Sequence, residues 1–208
     1  MRGIGSSIVV LLLASACTRY AADQPLQLTW TTSEVLRPSG AVGTALSATS
    51  FGLSLHDERE NPAVIGGYST DGARGEIQTR DNVAQYCGQH LSELLGRAGA
   101  RISKEPAPMM LQTALLEYQV HESEKFNGLI RMRVSLVAEG NVVWWRTYAG
   151  TAESWGRTHN PQNFNEALSG ALASIASQLI NDDSFAAALR GDPQAPPPEP
   201  PAGPGGAG

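Results

Sequence analysis

Cysteine is scarce: Cys17 and Cys87 are the only two in 208 residues, which excludes a fold stapled by several disulfides. Clustered positive charge is also missing. Fifteen scattered Lys and Arg face 20 acidic side chains, for a net charge of −5, whereas phosphate backbones are held by grouped basic residues. A nucleic-acid partner is therefore not expected. The leading apolar run, Ile8–Leu13, falls far short of the roughly 20 residues that span a bilayer. Signatures of catalysis are absent too: no Gly-x-Ser-x-Gly, no His-Glu-x-x-His and no cysteine pair at zinc spacing. Gly66-Gly67 and Gly72-x-x-Gly75 lack the Lys-Ser/Thr of a phosphate loop. His56 and Glu58 would share one face of a strand, but His90, His121 and His159 have no spacing that completes a metal site. The expectation is no catalytic residue, no cofactor and no metal.

What is present starts at the N-terminus. Residues 1–17 read MRGIGSSIVVLLLASAC: one basic residue, a short apolar run, three small residues and a cysteine. Such an order reads as an export signal. The tripeptide Ala14-Ser15-Ala16 before Cys17 resembles the lipobox of bacterial lipoproteins, with Ala14 where Leu is commonest. That resemblance implies cleavage before Cys17 and lipidation of its thiol and new amino group. Ala16 also suits an ordinary signal peptidase, which would leave Cys17 unmodified. Thr18 is not the Asp that resembles an inner-membrane retention signal, so the outer membrane, periplasmic face, is the expected address; the inner membrane and the cell surface stay open.

Four segments follow from composition: a signal over 1–16, a lipidated Cys17 with a Ser/Thr/Gly/Pro-bearing tether over 17–45 that has room for a short strand at Leu26–Trp30, a domain over 46–190 and a Pro/Gly-rich tail over 191–208. About 145 residues suffice for one core. Alternation predicts strands at Ala48–Leu55, Leu116–Val120, Leu129–Ala138 and Val142–Glu153, with a short one at Arg101–Ser103. Apolar residues at helical spacing predict a helix over Arg80–Arg97, which buries Cys87 beside Val83 and Leu91. A second begins near Asn163, with Glu166 as capping-box partner. The fold class expected is α+β: a two-layer sandwich with a mainly antiparallel sheet of four to five strands and two helices on one face.

The Asp57-x-Arg59 pair before Ile65-Gly66, the helix ending near Gly99, the Leu116–Val120 strand, the Trp144/Tyr148-Gly150 strand, and the Glu166–Leu172 helix before Asp183 and Phe185 together resemble the YajG-type family of bacterial lipoproteins. The resemblance spans about residues 48–190. It implies a fold like the N-terminal domain of TolB and an envelope address. The tail and the Gly/Ser-bearing stretch around 66–76 depart from the family pattern.

Seven residues are candidates for an interaction surface. Asp57 and Arg59 lie in the loop after the first strand, where they pair with each other, with backbone or with a partner. Trp144 and Trp145 must point to opposite sheet faces. One packs under the helices; the other would join Arg131, Arg133 and Arg146 on the open face, a mixture suited to a protein partner. The functional expectation is a lipid-anchored, non-enzymatic accessory or adaptor with an envelope protein partner. Its alternative is a lipid- or glycan-binding transport-auxiliary lipoprotein, which would need an apolar cavity. A hydrolase using His56, Asp57 and Glu58 is the weakest option.

Overall fold

The strongest alternation in the sequence builds the middle of a large sheet. In chain order the elements are α1 (Gly40–Ala48), β1 (Ser50–Asp57), β2 (Val64–Thr70), β3 (Ala73–Gln78), α2 (Val83–Arg97), β4 (Arg101–Ile102), β5 (Met109–Glu122), β6 (Phe126–Ala138), β7 (Asn141–Ser154), α3 (Pro161–Leu179) and α4 (Asp183–Leu189). The structure, a computed structural model, describes residues 24–32, 34–70, 72–103 and 107–192. Cys17, the export segment and all but two residues of the Pro/Gly-rich tail lie outside the described residues.

The protein is an α+β two-layer sandwich. Its sheet has seven strands and is mixed, broader than the four or five antiparallel strands expected. Strands β5, β6 and β7 form an antiparallel meander. On the other edge of β5, β1 and β2 both run parallel to it, at residues 110–115 and 120–122 respectively. Parallel neighbours need a crossover, and α2 carries the chain back across the sheet to β4, itself parallel to β1. Alternation fixes which face a side chain takes but not which strand lies beside it. The Gly/Ser-bearing stretch around 66–76 is the β2–β3 hairpin.

Helix α2 buries Val83, Cys87, Leu91, Leu94 and Leu95, as the spacing predicts. Asn82 caps it by accepting from Gln85 N–H at 2.9 Å, and Gly99 ends it at φ 98°. Each large aliphatic or aromatic side chain so buried contributes about 1.5–3 kcal/mol. Helix α3 starts at Pro161 under an Asn160 cap, not at Asn163; Glu166 instead accepts from Ser154 Oγ and Gln162 Nε2. It lies close on the sheet. A Cβ at Gly128 or Gly150 would collide with the backbone carbonyls of Ala167 and Ala171, so glycine there sets the interlayer distance.

The tether expected over 17–45 is much shorter than its composition implies. Leu26 and Leu36 are buried in the core, and Gly40–Ala48 is a helix that packs on α4. Leu26–Thr31 is a strap whose backbone is held by groups on several elements. Leu26 N–H donates to Gln78 O, Leu28 N–H to Asp81 Oδ2, and Thr31 N–H to Ser169 Oγ. Asn165 both accepts from Thr29 N–H (3.0 Å) and donates to Gln27 O (3.1 Å). The Trp30 ring stacks on His90 with centroids 4.4 Å apart.

Candidate functional site

The seven candidate residues fall into three places. Asp57 and Arg59 sit in the seam where β1 leaves β5 and β2 has not yet joined it. Arg59 donates from Nε and Nη2 to the Asp57 carboxylate at 2.8 and 2.6 Å, and from Nη1 and Nη2 to the carbonyls of Val64 and Pro62. Its guanidinium lies 5.6 Å from the centre of the Tyr118 ring. The side chains are only 7 % and 15 % exposed. This pair closes the gap between two strands and offers no open recognition surface.

Trp144 and Arg146 point towards the helices. Trp144 pairs with Leu136 in the register, packs on Phe185, and donates from Nε1 to Ser184 Oγ at 3.0 Å. Arg146 lies opposite Val134, on the same face, and its Nη1 reaches Asp182 Oδ2 at 2.7 Å. The expected grouping of Arg146 with Trp145 is corrected by the two-residue period of a strand: adjacent residues cannot share a face.

The open face is what remains. Trp145 lies opposite Ser135, and Arg133 and Arg131 follow on the same side of β6. Arg133 donates to both carboxylate oxygens of Glu58 at 2.8 and 2.9 Å, and Arg131 pairs with Glu117 at 3.1 Å. The arginines are thus held upright beside a half-buried indole, with exposed Gln112, Gln119, Thr147 and Thr151 around them. Among the described residues no helix covers this side, and a half-buried indole beside arginines is a mixture common at protein interfaces. Glu58 belongs to it as a brace, while His56 on the same face stands exposed. Among the described residues no three His, Cys, Asp or Glu side chains are grouped to hold a metal.

Two polar centres escaped the sequence. Asp182 caps α4: its Oδ1 accepts from Ser184 N–H and Oγ, while Oδ2 accepts from Tyr148 O–H and Arg146. Burial works against its charge, but the bonds from Ser184 and Tyr148 and the Arg146 cation outweigh that and hold its pKa below the ordinary value of 3.8. Burial, and then the bond to Asp182, push the Tyr148 phenol well above its ordinary range. Glu122 is almost wholly buried and accepts from His159 N–H at 2.9 Å, which anchors the β7–α3 loop. Neither has a sequence neighbour that announces a partner more than 30 positions away. Burial raises the Cys87 thiol far above its usual range, which makes it an inert core residue.

No family model and no curated protein matches the chain. Solved structures do. XCC0632 from Xanthomonas campestris, of the family model DUF330, aligns over 75% of this chain and 94% of its own at TM-score 0.53 and 12% identity. The chain shares that fold. A candidate lipoprotein from Caulobacter crescentus aligns over 75% and 100% at TM-score 0.45 and 12% identity. A PelC dodecamer from Paraburkholderia phytofirmans aligns over 61% and 86% at TM-score 0.33 and 16% identity. At 12% identity the likeness to XCC0632 is one of fold alone. Among the described residues no helix is long and apolar enough to cross a membrane.

Proposed function

We propose that the protein is a YajG-type lipoprotein: exported, cut before Cys17, acylated there and held at the periplasmic face of the outer membrane, where its domain is a non-enzymatic adaptor for an envelope protein. The observation that carries this reading is the strap. Its backbone is docked from Leu26 onward, directly behind the lipobox-like segment, so eight residues separate Cys17 from the folded body. Extended, that linker reaches about 30 Å at most. A lipid on Cys17 would therefore hold the domain near the bilayer rather than let it roam.

The open face with Trp145, Arg131 and Arg133 is the surface for the partner. Carriage of a lipid or glycan between the layers is disfavoured by the contact of α3 with the sheet, where the backbone at Gly128 and Gly150 leaves no room for a ligand. The test is crosslinking and capture of the lipidated protein from its own envelope. One stoichiometric protein partner, lost when Arg131 and Arg133 are replaced by Glu, supports the adaptor. Co-purified lipid with no protein partner contradicts it.

A further inference from the structure

A sheet that does not close ends in strands with a row of unpaired backbone groups, and such an edge invites another strand. The terminal strands here are β3, β4 and β7. Two of them are guarded. β4 is two residues long. β3 bears Arg74 and Glu76, and the strap covers its end where Leu26 N–H meets Gln78 O at 2.7 Å. β7 is fourteen residues long, contains no proline and, among the described residues, pairs with β6 alone. It is rich in Val, Trp, Thr and Tyr, which favour strands. Four large hydrophobic side chains stand exposed among the described residues; Val142, Val143 and Trp155 of these lie in β7 or directly after it. The helices cover one face of β7, where Trp144, Tyr148 and Gly150 are buried, and Gln178 Nε2 caps the Ala149 carbonyl at 2.8 Å, while Thr147 and Ala149 stand exposed.

We propose that β7 is a homodimer interface, in which the β7 of a second copy of this chain adds antiparallel to the first about a two-fold axis at Thr147. The occupant is read from the strand itself. Bulk is concentrated in its first half, as Trp144 and Trp145, and small residues in its second, as Ala149 and Gly150. An antiparallel pair centred on Thr147 sets Trp145 opposite Ala149, Trp144 opposite Gly150 and Arg146 opposite Tyr148. On the open face the Trp145 indole then meets the exposed Ala149, while Trp144, Tyr148 and Gly150 stay covered by α3 and α4 of their own copy. Thr147 faces its own copy, a favourable cross-strand pair. The register shift in the β6–β7 ladder lies before Trp144, so the paired stretch falls wholly in regular strand. A two-fold axis between antiparallel strands stands perpendicular to the sheet, so both open faces point the same way. The dimer would join two adaptor surfaces into one.

The test uses the full chain carrying Cys17→Ser, which leaves buried Cys87 as its native thiol, so the result is independent of lipidation. Thr147→Cys places two thiols on Cα atoms about 4.5–5.5 Å apart, within disulfide range. Under mild oxidation it is expected to give a covalent dimer at least tenfold more efficiently than Gln119→Cys, which is equally on the open face but central in the sheet. Light scattering of the chain without added cysteine should show twice the monomer mass. Gln178→Ala should raise the dimer fraction, and Thr147→Pro, which removes an edge N–H, should return the mass to monomer. A monomeric mass together with equal crosslinking at positions 147 and 119 overturns the proposal. Loss of lipid at Cys17 would leave it standing, and the two readings fail separately.

Discussion

The Tyr148 hydroxyl donates to Asp182 Oδ2 at 2.7 Å, 34 positions away in sequence, and so ties strand β7 to the start of helix α4. The same oxygen takes Arg146, and the other carboxylate oxygen caps the helix. One carboxylate thus fixes how the last helix sits on the edge of the sheet. Because its folded pKa lies below the ordinary 3.8, its contribution is complete above that value and is lost as pH falls through the folded one. Asp182→Asn should keep the cap but weaken the other bonds, at a cost of about 1–3 kcal/mol at pH 7. It should also flatten the stability profile below about pH 4. Urea unfolding across pH 2–7 checks both.

The seam pair gives a larger expected effect. Arg59→Met leaves Asp57 charged and mostly enclosed, together with the carbonyls of Val64 and Pro62. Breaking a buried pair on one side costs about 3–5 kcal/mol. Arg59→Lys should not restore it, since an ammonium cannot reach the carboxylate and both carbonyls at once. The urea midpoints of the two variants decide this.

Asn165 satisfies the strap backbone from both sides, so Asn165→Leu should free residues 26–31 while α3 stays formed. The amides of Leu28, Thr29 and Thr31 should then exchange with solvent at least tenfold faster, with little change in the sheet. Unchanged protection would mean that the bonds to Gln78, Asp81 and Ser169, with Leu26 and Trp30 packed against the core, hold the strap without Asn165.

On the open face the prediction is the reverse: a loss of binding without a loss of fold. The Arg131–Glu117 and Arg133–Glu58 pairs are partly exposed, and pairs of that kind contribute about 0–1 kcal/mol each. Replacing both arginines by Glu should lower Tm by a few degrees at most and abolish capture of the partner. Thermal melts and crosslinking of the same samples separate the two effects.

Much of the scaffold was legible because its periodicities are strong. The alternation from Ile130 to Leu136 and the helical spacing from Val83 to Leu95 place those residues on the faces they occupy. Three kinds of feature were not. The strap looked like a linker because its backbone amides are held by the side chains of Asp81, Asn165 and Ser169, which leaves no periodic mark. The parallel neighbours of β5 depend on a crossover. Asp182 gathers partners from β7 that lie far off in sequence. Arg146 was a different case: the period of two already set it on the same face as Trp144, against the grouping with Trp145.

The most direct test of the account is the intact mass of the mature protein taken from its own envelope. The account predicts a chain that begins at Cys17 and carries a diacylglycerol and an amide-linked acyl chain on that residue. A mature N-terminus at Cys17 or upstream of it, bearing no lipid, would contradict it.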